Sequence, residues 1–188
     1  MQQLTNGQKI QKAYRQYIAQ YEKYVQVAAT LTLKQSATIR VKRFENYGDD
    51  YYEFIQKLDD EKIQSTIRYF TANLTQQLYG NNSKHKNKQY WAKPLVLAVV
   101  EGKNTHKLTH LHLAIGNVQA DKLDNIENYI NTAFKRCDFA NKQTCIKHVT
   151  SGIGWLGYIT KEIGYTDNDA LDIVSSSIPQ FIQQSICT

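Results

Sequence analysis

The sequence predicts an α+β protein in which helices flank a central antiparallel sheet. Residues 24–35, "YVQVAATLTLKQ", alternate apolar and polar side chains as a half-buried strand does. Residues 93–102 and 107–118 are apolar, strand-like runs joined by the polar turn "KNTH", the pattern of an antiparallel hairpin. Segments with helical spacing lie before, between and after these strands. An α+β arrangement is the one that buries all of these apolar faces.

The helices are predicted from apolar residues spaced three and four positions apart. Residues 5–23 form an amphipathic helix before the first strand. Residues 53–79, from Phe54, Ile55 and Leu58 onward, carry helical spacing that breaks near Asp59 and Asp60 and stops at Gly80. The same spacing predicts helices at 121–134, 151–165 and within 166–188, with a short strand at 143–149.

The length and composition predict one soluble domain over residues 1–188, with 1–23 as a helical N-terminal extension and 166–188 as a helical C-terminal segment. The chain is 41% hydrophobic and 21% charged and has only two prolines. The longest apolar run, "LVLAVV" at 95–100, is too short to span a bilayer, and no apolar signal core is present. We therefore expect a cytoplasmic protein without a membrane partner. Three cysteines without C-x-x-C spacing favour reduced thiols.

The charge balance favours an anionic partner. The chain has 23 Lys and Arg against 17 Asp and Glu, a formal net charge of +6. Basic residues interleaved with aromatic ones suit single-stranded nucleic acid, although solvated surface charges and a core tryptophan are the plainer alternative. The candidate DNA-binding residues are Lys34, Arg40, Lys42, Arg43, Lys84, Lys86, Lys88, Tyr90 and Trp91.

The strand "LTHLHLAIGN" at 108–117 contains two histidines one residue apart. His110 and His112 project from one face, because residues two apart in a strand point the same way. Neighbouring imidazoles can bind one divalent cation, whereas two solvated histidines are the simpler alternative. If the hairpin closes through 102–107, Glu101 lies opposite Leu108 and diagonal to His110, which makes Glu101 a candidate third ligand.

The downstream segment "YITK" places Tyr158 and Lys161 one helical turn apart, so that both can reach one phosphate. Glu162, four residues after Tyr158, shares that face and is the rival third ligand. Taken alone, this pair is more simply a core tyrosine and a surface lysine, and it gains weight only together with the histidines. Lys161 could place a positive charge beside the phosphate or the phenolate.

Three motifs in order, "VAATLTLK", "HLHLA" and "GYITKEIG", resemble the HUH endonuclease superfamily. Within it, the chain is similar to the nicking domain of single-tyrosine rolling-circle replication initiators. The resemblance implies an RRM-like, ferredoxin-like sheet and a Mg²⁺ or Mn²⁺ ion held by His110, His112 and a third ligand, Glu101 or Glu162. It also implies that Tyr158 attacks DNA. Relatives with two catalytic tyrosines carry both on one helix. Tyr165 lies two turns after Tyr158, but Gly164 just before it predicts that Tyr165 follows the end of the helix, so we expect one catalytic tyrosine.

The resemblance implies sequence-specific nicking and joining of single-stranded DNA at a replication origin. Attack by Tyr158 would leave a 5′-phosphotyrosine and a free 3′-hydroxyl, and would start rolling-circle replication of a plasmid, phage or similar element. The chain has no G-x-x-x-x-G-K-[ST] phosphate loop, so unwinding is expected from a separate helicase. The alternatives are an HUH transposase and a non-catalytic RRM-like nucleic-acid-binding domain. Transfer relaxases often carry the tyrosine before the histidines. Tyr158 follows the histidines, which favours replication or transposition over plasmid transfer.

Overall fold

The computed structural model describes residues 4–42, 51–88, 90–103, 108–161, 163 and 170–186, except for the side chain of Lys86. Six strands and six α-helices are assigned within these ranges, together with three short 3-10 helices. The strands are β1 (Val25–Leu33), β2 (Ser36–Lys42), β3 (Tyr51–Lys57), β4 (Leu95–Glu101), β5 (His110–Gly116) and β6 (Ala140–His148). The helices are α1 (Asn6–Ala19), α2 (Asp60–Tyr79), α3 (Ala120–Leu123), α4 (Ile126–Lys135), α5 (Gly152–Ile159) and α6 (Gln180–Ile186).

The central sheet has four strands in the order β4-β5-β1-β6, and every neighbouring pair is antiparallel. Along the chain, the elements β1, α2, β4, β5, α4 and β6 form a β-α-β-β-α-β unit, the ferredoxin-like arrangement. The predicted α+β class with a central antiparallel sheet flanked by helices is therefore confirmed.

One face of the sheet is sealed by α2 and α4. The alternating residues Ala29 and Leu31 of β1 and Leu111 and Leu113 of β5 are fully buried on this face. Phe70 of α2 packs against Phe134 of α4 and joins the same core. Helix α2 begins where the Asp59 carboxylate accepts the Lys62 amide hydrogen (2.8 Å), and it ends at Gly80, whose φ of 55° is left-handed.

The other face, which we call the histidine face, carries a second core. It combines Leu97 and Val99 of β4 with Ile18 of α1, Leu156 of α5 and Ile182 of α6. The segment before α6 runs along the free edge of β4, where Leu171 and Ser177 form isolated bridges to Val99 and Val96. Helix α6 accounts for the helix predicted within 166–188, whereas the bridging segment was not predicted.

Residues 51–57 do not form the start of a helix, so this prediction is wrong. Phe54 and Ile55 lie in β3, which pairs with β2 in a separate two-stranded sheet, and Leu58 follows the strand. Aromatic and β-branched residues at 51–55 favour a strand once β2 supplies its hydrogen-bonding edge. The helix begins only after Asp59, close to the predicted break.

Two other predicted helices are shorter than expected. Residues 121–134 are divided between α3 and α4, with Asp124 and Asn125 between them. Helix α5 ends at Ile159 rather than continuing to residue 165, and Thr160 follows as its C-cap. In the part of the chain that the structure describes, no helix is long and apolar enough to cross a membrane.

Candidate functional site

The β4–β5 hairpin brings Glu101 and the two histidines onto the histidine face. Glu101 pairs directly with His110, so the predicted pairing with Leu108 is wrong by two residues. Gly102 explains this register: its φ is 93°, and a Cβ there would lie 2.7 Å from the Leu108 carbonyl oxygen. The shift preserves the face, because strand side chains alternate with period two. It also moves Glu101 to the diagonal position from His112.

His112 is buried rather than solvated, with 5% of its surface exposed. Its Nε2 lies 2.8 Å from Oε2 of Glu101, and its Nδ1 lies 3.0 Å from Oγ1 of Thr30 on β1. Burial lowers the pKa of His112, and the hydrogen bond and charge of Glu101 oppose this effect only in part. A neutral ring satisfies both contacts when Nε2–H donates to Glu101 and Nδ1 accepts from the Thr30 hydroxyl.

His110 lies beside His112 but is more accessible, with intermediate exposure. The two rings are nearly parallel, with 14° between their planes and 6.4 Å between their centroids. Their side-by-side arrangement follows from the strand geometry that the sequence predicts. The pair therefore differs in environment, with one ring enclosed and the other at the edge of the site.

Helix α5 lies over His112 and supplies Tyr158. The Tyr158 ring meets His112 edge-on, with 5.7 Å between centroids, and it is 46% exposed. Trp155 stacks on Tyr158 and donates its indole N–H to the Leu113 carbonyl (3.0 Å), which ties the helix to β5. Gly152 permits the close approach at the start of the helix, because a Cβ there would lie 2.5 Å from the Glu22 carbonyl oxygen.

Lys161 reaches Tyr158 from beyond the end of the helix. Its Nζ lies 4.2 Å from the Tyr158 ring centroid, so the predicted juxtaposition is present although the predicted shared helix face is not. The buried Gln11 of α1 donates to the carbonyl oxygens of Thr160 (3.0 Å) and Lys161 (2.9 Å). Helix α1 thus holds the C-terminal end of α5 in place.

The donor atoms fit a divalent ion only in part. The 2.8 Å between His112 Nε2 and Glu101 Oε2 is close to the ~3 Å separation of adjacent ligands on a six-coordinate ion with bonds of about 2.1 Å. With a metal at Nε2, the proton would be on Nδ1 and Nδ1–H would donate to the Thr30 hydroxyl oxygen, which is the orienting contact that ligating histidines usually have. Within the described residues, however, no group of three or more His, Cys, Asp or Glu is arranged to hold a metal. His110 is therefore not grouped with His112 and Glu101, and Glu162 lies outside the described residues.

The predicted DNA-binding residues fall into two separate groups. Lys34 lies at the His110 end of the sheet, since its neighbour Leu33 donates its amide to the Thr109 carbonyl. Trp91 lies at the opposite end, where the Asn117 side chain donates to its carbonyl oxygen. Seven-residue strands separate these ends by roughly 20 Å. Arg40 and Lys42 lie on β2, the strand that follows Lys34 in the chain, and Lys84, Lys88 and Tyr90 belong with Trp91. Arg43 and the Lys86 side chain lie outside the description.

Neither aromatic candidate of this group is free to stack on both sides. The Trp91 ring meets Tyr79 edge-on, and Tyr90 packs against Phe181 and donates its hydroxyl hydrogen to Gln184. Both rings are about 40% exposed, at 39% and 41%. Each ring therefore has one accessible portion.

Sequence reasoning did not identify Thr30, Trp155 or Gln11 as parts of the site. Thr30 could have been found, because its position on β1 shares a face with its partner His112 once the two strands pair. Trp155 lies one turn before Tyr158, so it shares the tyrosine's side of a helix. Gln11 gives no such signal, because its contacts are 149 and 150 residues away along the chain.

Comparison with known proteins adds no relative: no family model, curated protein or solved structure matches this chain. The site must therefore be interpreted from its own geometry.

Proposed function

We propose that this protein is a DNA strand transferase of the HUH type, which nicks and rejoins single-stranded DNA through Tyr158. One observation carries the proposal. An exposed tyrosine packs edge-on against the buried histidine of a His-x-His pair, and that histidine is hydrogen-bonded to a carboxylate from the neighbouring strand. Packing of the tyrosine alone would not require a hydrogen-bonded histidine and carboxylate beneath its ring.

His112 and Glu101 would hold a Mg²⁺ or Mn²⁺ ion, with His110 completing the set after a change of rotamer. When bound, such an ion acts as a Lewis acid on a nonbridging phosphate oxygen and orients the phosphate. The lowered pKa of His112 supports this role, because only the neutral imidazole can ligate a metal near pH 7. Thr30 would keep the ring oriented through its contact with Nδ1.

Tyr158 would act as the nucleophile. Its phenolic oxygen forms a bond to phosphorus while the bond from phosphorus to the 3′-oxygen breaks, which yields a 5′-phosphotyrosine and, with transfer of one proton, a 3′-hydroxyl. One phosphodiester replaces another, so a later 3′-hydroxyl can reverse the reaction. The Lys161 ammonium at the ring stabilises the phenolate as it forms and attracts the phosphate.

The DNA strand would enter from the open half of the histidine face. On the histidine face, helix α5 and the C-terminal segment cover β4 and β5. The half of this face formed by β6 is open, because Cys145 and Lys147 are exposed on it. Thr30 of β1 pairs with Cys145 and leads from this open half to His112. A single strand can lie along this half and bring one phosphate to Tyr158, whereas a duplex is too wide to approach it as closely.

Initiation of rolling-circle replication remains the preferred role, with an origin as the DNA partner and a separate helicase for unwinding. An RRM-like binding function is less well supported. RRM domains stack bases on aromatic residues of the central strands. In β1 and β5, which are fully described, the histidine face contains no Phe, Tyr or Trp on which a base could stack. Its residues are Ala28, Thr30 and Thr32 of β1 and His110, His112 and Ala114 of β5.

The decisive experiment incubates the protein with a labelled pool of random single-stranded oligonucleotides and Mn²⁺. We expect an adduct that survives denaturation and carries label from the 3′ part of the cut strand. Tyr158→Phe removes the nucleophilic oxygen and should abolish the adduct, and Lys161→Gln should slow its formation by about tenfold or more.

The matched control is Tyr69→Phe, because Tyr69 is also an exposed helical tyrosine, at 53%, but lies on α2 across the sheet. It should form the adduct at the wild-type rate. An adduct that persists in Tyr158→Phe would disprove the assigned nucleophile. Binding of the pool without any adduct would favour the non-catalytic alternative, and joining that occurs only at the ends of a mobile element would favour a transposase.

A further inference from the structure

A cleft lies between α2 and the segment at 174–180, at the β4 edge of the central sheet. Its volume is about 780 Å³, within the range of small-molecule sites. Arg68 of α2 and Lys93, just before β4, supply positive charge to its walls. Among the described residues that line it, none is acidic. The cleft is therefore suited to an anionic ligand.

Two buried hydroxyls in the walls of this cleft have no hydrogen-bond partner. They are Oγ1 of Thr71, which is 7% exposed, and Oγ of Ser175, which is 4% exposed. They are the only buried side-chain oxygens or nitrogens without a partner in the part of the chain that is described. Folded proteins pair nearly all such groups, because an unpaired one costs about 1–3 kcal/mol.

Neighbouring hydroxyls in the same cleft are paired, so the two exceptions are specific. The Thr75 hydroxyl donates to the Thr71 carbonyl (2.7 Å), and the Ser176 hydroxyl donates to the Asp172 carbonyl (2.6 Å). Thr71 and Ser175 come from opposite walls, one from α2 and one from the C-terminal segment. Two unpaired hydroxyls and two cations in the lining of one cleft are groups that donate hydrogen bonds to phosphate oxygens.

An aromatic ring completes the cleft. Tyr90 lines it and is 41% exposed, while its ring is braced by Phe181 and its hydroxyl by Gln184. A braced, partly exposed ring offers a base a stacking surface with little loss of conformational freedom. We propose that this cleft binds a nucleoside phosphate, with Arg68, Lys93, Thr71 and Ser175 at the phosphate and Tyr90 against the base.

The test measures ADP binding by calorimetry, without DNA, in the Tyr158→Phe protein, so that its outcome is independent of the proposed nicking activity. We expect ADP to bind more tightly than pyrophosphate. Arg68→Gln and Thr71→Val should each weaken ADP binding by about tenfold or more, because each removes a hydrogen bond to a charged group. Tyr90→Leu should remove the advantage of ADP over pyrophosphate.

Thr71→Val also distinguishes a ligand-binding hydroxyl from a structural one. Loss of an unpaired buried hydroxyl should leave the unfolding temperature of the free protein unchanged or raise it. The matched control is Thr66→Val on the same helix, whose hydroxyl donates to the Lys62 carbonyl and lies outside the cleft. That variant should lose stability and keep its ADP affinity.

Three results would overturn the proposal. The first is the absence of ADP binding, and the second is ADP binding that is insensitive to Arg68→Gln and Thr71→Val. The third is competition by an oligo-dT strand that itself loses affinity in Arg68→Gln, which would make the cleft a nucleic-acid site instead.

Discussion

The two faces of the central sheet are formed by the same four strands but bury different kinds of side chain. On one face, α2 and α4 cover a core built from alternating apolar residues, with Phe70 against Phe134 at its centre. On the histidine face, α5 covers apolar residues of β4 together with the imidazole of His112. The first face contributes hydrophobic burial, whereas the second must also supply hydrogen-bond partners to a polar ring.

This difference shows why the histidine face needs more precise positioning. A hydrophobic core accepts many combinations of side chains of suitable volume. His112, in contrast, needs Glu101 at Nε2 and Thr30 at Nδ1, each from a different neighbouring strand. Helix α5 is in turn fixed by Trp155 at one strand and by Gln11 from α1. The site therefore depends on contacts between elements that are distant in sequence.

The largest effects should come from matched leucine truncations, one on each face. Leu74→Ala on α2 and Leu156→Ala on α5 remove side chains that are 0% and 3% exposed, and each should lower the free energy of unfolding by about 2–5 kcal/mol. Only Leu156→Ala should change the emission of Trp155, because that indole lies on the same helix, against His112 and Tyr158. Urea unfolding measures the loss of stability. Fluorescence in a Trp91→Phe background, in which Trp155 is the remaining tryptophan, measures the change in emission.

Equal fluorescence changes in the two variants would mean that the faces are not independent. In that case, packing on the α2 face would also determine the position of α5.

A smaller effect is expected from Glu101→Ala, which removes the partner of a buried nitrogen. The free energy of unfolding should fall by about 1–3 kcal/mol, because Nε2 of His112 is left without its hydrogen bond. Mn²⁺ binding, measured by calorimetry, should weaken in this variant and in His110→Ala. The exposed Glu127 of α4 provides a control, and Glu127→Ala should change neither quantity.

Glu162→Ala tests the rival ligand, and we expect it to leave Mn²⁺ affinity unchanged. Loss of affinity in Glu162→Ala but not in Glu101→Ala would transfer the third ligand to the segment after α5.

The sequence was informative about the site wherever local periodicity controls geometry. Alternation along β5 placed both histidines on one face, and the same rule kept Glu101 on that face even though its register was predicted two residues away. The register itself depends on Gly102, whose left-handed conformation and contact with the Leu108 carbonyl are properties of the folded turn. Periodicity carries no information about such a contact.

The errors arose where distant residues decide the local structure. Phe54 and Ile55 have spacing that fits a helix as well as a strand, and only pairing with β2 selects the strand. The end of α5 is another case, because the carbonyls of Thr160 and Lys161, which follow the helix, accept hydrogen bonds from Gln11 of the first helix. The extended pairing of Leu171 and Ser177 with β4 likewise depends on the edge that β4 leaves open.

The subtlest difference between the faces should be a pH dependence that only the histidine face can produce. The pKa of His112 is lowered in the folded state, chiefly by burial, so the unfolded chain binds a proton at this residue first as the pH falls. Stability should therefore be fully present above about pH 6.5, decline below it, and level off below the folded pKa, by about 1.4 kcal/mol for each unit of pKa difference. Urea unfolding at pH 7.5 and 5.5 measures this decline. His112→Gln should reduce it, whereas Leu74→Ala should lower stability equally at both pH values, since its cavity contains no titrating group. An undiminished decline in His112→Gln would show that another residue is responsible, and that the buried imidazole is not what makes this face sensitive to acid.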